Sequence, residues 1–241
     1  MKKTVRIGMF LLLVLSFVSL SYAAQFDNLL KGLKFPAKES TDNGTIVSGL
    51  KEALSVGTGN AVTSLSKMDG YFGNQMVKIL LPEKVQTAGN VLGKLGYQKQ
   101  VDDFVLSMNR AAEKAAPKAK AIFVDAIRQM TFEDARNILN GGNTAATDYF
   151  RSKTSAKVFN AFKPIVSSSM DEVGVTQAYK AMIGKYTSSI PFAKTESLDL
   201  DTYVTNKATD GLFYMVGEEE KKIRTDPAAR VTDLLKKVFG K

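Results

Sequence analysis

The sequence predicts an all-α protein, a single multi-helix, bundle-like domain following a cleaved signal peptide. Two observations carry this expectation. Apolar residues recur at spacings of three and four through most of the chain, and no alternation is long enough to require a sheet.

The elements follow in order. Lys2, Lys3 and Arg6 form a positive n-region, Ile7 to Val18 is almost wholly apolar, and Ser21-Tyr22-Ala23 supplies small residues for cleavage after Ala23. An uncleaved anchor is the alternative, but the apolar run is short of the roughly 20 residues a span needs. Residues 24–44 read as a flexible leader and 45–241 as the helical domain. Ile46, Val47, Leu50, Ala53 and Leu54 begin the first stripe, which Ala61, Val62 and Leu65 extend. Gly57 and Gly59 interrupt it, so one helix or two are expected. Met68 to Pro82 reads as a buried connection or short helix. Glu83 to Leu95 is a helix with Gly89, Gly93 and Gly96 on nearly one face, a close-packing signal.

Val101 to Met130 carries the strongest pattern, with a kink expected at Pro117. Thr131 is a candidate N-cap with Glu133 and Asp134 in the first turn, and Gly141-Gly142 stops that helix. Another begins at Thr144, bends near Pro164 and ends at Gly174. A short helix spans Thr176 to Tyr186, and 187–198 reads as extended or irregular. Helical spacing resumes at Leu200 and continues to Ile223. Asp226-Pro227 opens a terminal helix bearing Val231, Leu234, Leu235 and Val238.

Three stretches carry a resemblance. They are Thr-Phe-Glu-Asp-Ala-Arg-Asn-Ile-Leu-Asn-Gly-Gly-Asn-Thr-Ala-Ala-Thr-Asp-Tyr-Phe-Arg at 131–151, Asp-Leu-Asp-Thr-Tyr-Val-Thr-Asn-Lys-Ala-Thr-Asp-Gly-Leu-Phe at 199–213, and Glu-Glu-Glu-Lys-Lys-Ile-Arg-Thr-Asp-Pro-Ala-Ala-Arg at 218–230. In these the chain resembles an exported bacterial family known as domain of unknown function 4197. The resemblance implies export and a helical domain, and it implies no reaction and no functional residues.

Composition bounds the chemistry. Loss of residues 1–23 removes three basic residues and no acid, leaving 30 basic and 24 acidic residues in 218, a net charge of +6. That excess favours anionic surfaces such as phospholipid headgroups, lipopolysaccharide phosphates or acidic proteins. The Lys and Arg residues are scattered apart from short pairs, however, and an ordinary solvated surface is the preferred explanation of the charge. Nucleic acid is not expected as the partner of an exported protein. The chain has no Cys, so disulfides, lipidation and thiol chemistry are excluded, and no His, which removes the usual acid–base residue and metal ligand. Trp is absent too, which disfavours sugar stacking. No cofactor motif is present: Gly57-Thr58-Gly59 lacks a third glycine, and Gly184-Lys185 is followed by Tyr.

Candidate sites each have a plainer alternative. The turn Asn140-Gly141-Gly142-Asn143-Thr144 feeds a helix N-terminus, where backbone amides can bind an anion, with Asp148, Tyr149 and Arg151 following. A compact helix–helix turn explains the same residues. Arg224 and Arg230, near the Asp226 cap, could pair with acids or receive an anion. Glu218, Glu219 and Glu220 read as surface acids, Glu218 and Glu220 standing four before Lys222 and Arg224. Asp199 and Asp201 read as helix caps. Phe104, Met108, Phe123, Phe159, Phe162, Phe213 and Met215 read as core, with a lipid cavity as the alternative. The sequence thus points to a non-enzymatic binding protein of the periplasm, or beyond the cell, for an apolar or anionic ligand such as a lipid, with membrane-surface contact in keeping. The alternative is a structural or protein–protein interaction module of the envelope. An enzyme using carboxylates or an activated Ser, Lys or Tyr ranks below both.

Overall fold

The computed structural model describes residues 43–172, 175–189, 199–230 and 232, and no strand occurs among them. The signal peptide, nearly all of the 24–44 leader, Ile190-Pro191-Phe192 and the terminal apolar residues from Val231 lie outside the described residues. The chain divides into two compact units, Met1–Ser48 and Gly49–Lys241. Of the first, only the opening turns of a helix, 43–48, are described.

Helix α1 spans Asn43–Leu65 as one element, so Gly57 and Gly59 do not divide it. Gly57 sits in a close contact instead: a Cβ there would lie 3.4 Å from Ile223 Cδ1. Helix α2 spans Glu83–Leu92 and passes through a wide turn at Gly93–Tyr97 into α3, Gln98–Ala115. The expected glycine face is corrected here. Gly89 is buried against the Leu81 side chain, whereas Gly96 has open space around it and a φ of 88°. Gly96 serves backbone conformation, which a β-carbon would oppose. Pro117 produces the expected break, a single tight turn at Ala116–Lys118, before α4 at Ala119–Gln129.

Helix α5, Phe132–Asn140, begins at a reciprocal capping box. The Asp134 amide donates to Thr131 Oγ1 at 3.0 Å, and Asp134 Oδ2 accepts from the Thr131 amide at 3.0 Å. Helix α6, Ala145–Glu172, runs through Pro164 without ending. Helix α7 spans Val175–Ser189, longer than its periodicity suggests, so 187–189 are helical. Helix α8, Leu200–Thr225, is capped by Asp199, whose carboxylate accepts from the Thr202 amide at 2.9 Å and its hydroxyl at 2.6 Å. Asp201 is not a cap; it accepts a hydrogen bond from Ser167. Asp226 caps a short turn at Pro227–Ala229.

Helix α6 is the centre of the second unit. It packs against α3, α4, α5 and α8. It runs antiparallel to α8, as Thr147 meets Glu220, Arg151 meets Asp210 and Lys163 meets Thr202. Phe123, Phe150 and Phe213, one each from α4, α6 and α8, are fully buried in edge-to-face contact at 5.2 and 6.0 Å. Phe104, Met108 and Phe162 join this core, as expected, while Phe159 and Met215 are half-buried.

Candidate functional site

The residues singled out in the sequence separate into two places. Asn140 and Asn143 stand exposed on the α5–α6 turn. Asp148 is exposed and accepts from the Thr144 hydroxyl at 3.0 Å. The half-buried Tyr149 donates its hydroxyl to Ala126 O at 3.3 Å, and burial followed by the Asp134 charge pushes its phenol up. Arg151 covers the buried Phe213 ring at 4.8 Å and approaches Asp210 at 3.4 Å.

Arg224 and Arg230 lie at the far end of α8 from Arg151's contacts. Arg224 Nη2 donates to Ile138 O at 2.9 Å, near the C-terminus of α5. Arg230 donates to Ile223 O and Arg224 O at 3.1 and 3.0 Å, closing the last turn of α8. Asp210 and Glu220 are ten residues apart on α8, roughly 15 Å along a helix. Arg151 and Arg224 therefore do not converge on one anion.

The N-terminus of α6 does bind a carboxylate, and that carboxylate belongs to the chain. Glu220 accepts from the amides of Ala146 and Thr147 at 3.0 and 2.9 Å, from Thr147 Oγ1 at 2.8 Å, and from Arg224 Nε at 3.0 Å. It is only 7% exposed. The surface-acid expectation is thus corrected: Glu220 and Arg224 are the expected i,i+4 pair, but a buried one. Glu219 is also buried; it accepts from Asn60 at 3.0 Å and pairs with Lys222, three residues on, at 2.6 Å. Beside the Glu220 pair is a cavity of about 20 Å³, lined by Leu50, Leu54, Ile138 and Ile223 among others. It has room for about one water and none for an acyl chain.

A different region presents itself to solvent. The connection 66–82 has no regular secondary structure beyond turns, yet buried groups from two helices hold it. Glu113 on α3 accepts from the amides of Tyr71 and Phe72 at 3.1 and 3.2 Å and pairs with Arg110 at 2.6 Å. Arg110 also reaches Asp69 at 2.7 Å. Asn109 binds both the amide and the carbonyl of Ile79 at 2.8 Å, satisfying that backbone as a strand neighbour would. Tyr71 is fully buried and donates to Ala208 O on α8 at 2.7 Å; burial and the Glu113 charge push its phenol up. Tyr203 donates to Leu80 O at 3.0 Å, and Asn74 touches Met215 Sδ at 3.5 Å.

Glycine permits the closest approaches. A Cβ at Gly70 would lie 2.5 Å from the carbonyl oxygens of Ser64 and Leu65, and one at Gly211 would lie 2.8 Å from Tyr71 Cε1. Between these anchors the connection turns apolar side chains outward: Met68, Met76 and Leu80 are 80%, 66% and 57% exposed. This corrects the expectation of a buried connection, since only Tyr71, Val77, Ile79 and Pro82 go inward. The anchors themselves leave a sequence signal. Asn109 and Glu113 continue the inward stripe of α3 from Val105 at steps of four, and Glu220 continues that of α8 from Val216. Polar residues at core positions mark buried clamps.

Among the described residues no group of three or more acids could hold a metal ion, and no helix is long and apolar enough to cross a membrane. Fold and site together define, among the described residues, an all-α domain with a packed apolar core and a loop fixed by buried polar groups. The chain belongs to the family described as a protein of unknown function, DUF4197, whose profile matches residues 40–240. No curated protein and no solved structure matches the chain.

Proposed function

We propose that this protein is a non-enzymatic binding protein of the bacterial envelope that works through a surface, the 66–82 connection, and encloses no ligand in its core. The observation behind this reading is the contrast between the loop's rigid anchoring and its exposed tips. A segment that two helices hold by buried hydrogen bonds presents Met68, Met76 and Leu80 to solvent. Long irregular connections on rigid scaffolds commonly carry recognition, and apolar tips are costly in water unless something covers them. Export supplies the setting, supported by the n-region, apolar run and small-residue site that end at Ala23.

The test is co-sedimentation of the mature protein with crude envelope membranes, lipids and proteins together. The wild type is expected in the pellet. The triple variant Met68→Ser/Met76→Ser/Leu80→Ser, checked for an unchanged thermal transition, is expected to lose about 100-fold in apparent affinity. Equal sedimentation of the two would remove the loop from the function.

A further inference from the structure

We infer that the partner of the 66–82 loop is an anionic lipid surface, an inference that rests on the loop being the recognition face. Charge complementarity is the first argument. Each exposed apolar tip has a lysine close by. Exposed Lys67 precedes Met68 directly. Two residues after Met76, Lys78 lies with its ammonium 4.0 Å from the centre of the Phe72 ring. Lys207 lies 5.8 Å over the Tyr203 ring, whose hydroxyl binds Leu80 O. Of the acids nearby, Asp69 is paired with Arg110, Glu113 is buried beside it, and Asp210, three residues after Lys207, is exposed but paired with Arg151, while Glu83 is exposed at the end of the loop.

The shape of the surface is the second argument. Met68 and Met76 protrude as separate flexible side chains, with Gly70, Gly73 and Asn74 between them. A protein partner would need a shaped pocket for each tip. A lipid surface accepts them independently, while neighbouring lysines reach anionic headgroups. Basic residues at an anionic surface and apolar insertion add to one another, and only the first is screened by salt.

Vesicle binding tests this directly. The mature full chain is mixed with sucrose-loaded vesicles of phosphatidylglycerol and phosphatidylethanolamine, and separately with vesicles of phosphatidylcholine alone. Binding to the anionic vesicles is expected, about tenfold stronger than to the neutral ones, and this advantage should be lost in high salt. The Met68→Ser/Met76→Ser/Leu80→Ser variant should fall about 100-fold, and Lys67→Gln/Lys78→Gln/Lys207→Gln about tenfold or more. Equal binding to both vesicle types, or variants that bind like the wild type, overturns the inference. If crude envelope membranes retain the wild type but pure-lipid vesicles do not, the partner is a membrane protein. The lipid inference then fails while the loop reading stands. If neither retains it, both fail.

Discussion

Glu220 shows how burial changes the meaning of a familiar pair. An i,i+4 Glu–Arg pair on a solvated helix contributes a few tenths of a kcal/mol. Here the same pair also receives two amides and a hydroxyl at the start of α6, so the carboxylate is desolvated but fully coordinated. Replacing it by Glu220→Gln removes the charge and leaves the partly buried Arg224 without its counter-ion. The expected loss is about 3 kcal/mol of unfolding free energy, read from urea midpoints at constant slope. The control is Asp210→Asn, which frees the exposed Arg151 and should change stability by less than about 0.5 kcal/mol. A similar small effect at both positions would mean that the α6 amides do not depend on Glu220.

At the scale of elements, α5 rests on its cap. Thr131→Ala should cost about 1 kcal/mol, because the Asp134 amide loses its acceptor. The box also sets a pH dependence. The Thr131 amide, and then its hydroxyl, hold the Asp134 carboxyl below its ordinary value of 3.8. A depressed carboxyl stabilises the fold above that ordinary value, and the contribution is lost as pH falls through the lowered one. Unfolding curves at pH 7 and pH 3 should therefore show a larger acid loss for the wild type than for Asp134→Asn. Equal losses would place the acid sensitivity elsewhere. A second element, the 66–82 connection, depends on the absence of a side chain at Gly211. Gly211→Ala would force a β-carbon against the Tyr71 ring, which is hydrogen-bonded and has little room to move. The cost should be about 1–3 kcal/mol, with the shift seen by hydrogen exchange in 66–82. Protection in that segment identical to wild type would show that Tyr71 adapts freely.

These elements also show what periodicity can and cannot reveal. The stripe from Val101 to Met130, its break at Pro117 and the Thr131 cap are written in local spacing, and all are found where expected. The continuity of α1 through two glycines is a tertiary effect, since Gly57 fits closely against Ile223 and Glu219. The 66–82 connection was the least legible segment. Its outward and inward residues are chosen by Glu113, Asn109 and Ala208, which lie 30 to 137 residues away along the chain. Asn109 and Glu113 still stood at inward positions of α3, a signal that weighing acids only as surface pairs or catalytic groups overlooks. Asn140, Asn143, Asp148, Tyr149 and Arg151 read in the sequence as a turn before a helix start. The amides of that start, at Ala146 and Thr147, receive Glu220.

For the molecule as a whole, the central question is whether a bundle rich in Phe and Met holds a ligand inside or is filled by its own side chains. Phe104, Phe123, Phe150, Phe162, Phe213 and Met108 are all buried, with no more than 1% of any of them exposed. Phe123 of α4 contacts Phe150 of α6 and Phe213 of α8 edge to face, and pockets for bound ligands are usually an order of magnitude larger than the cavity beside Glu220. A lipid carrier would need some of these rings to be absent or turned aside. Removing that much packing costs several kcal/mol for each large side chain, a substantial part of the stability of a domain of this size. Native mass spectrometry of the mature protein, purified gently from envelope membranes, should therefore give the bare chain mass. Lipid held only at the 66–82 surface would dissociate during purification, because a few apolar tips and lysines give reversible attachment. A stoichiometric adduct that survives native conditions and leaves on denaturation would show an internal site, and would move the function from the surface of this protein to its core.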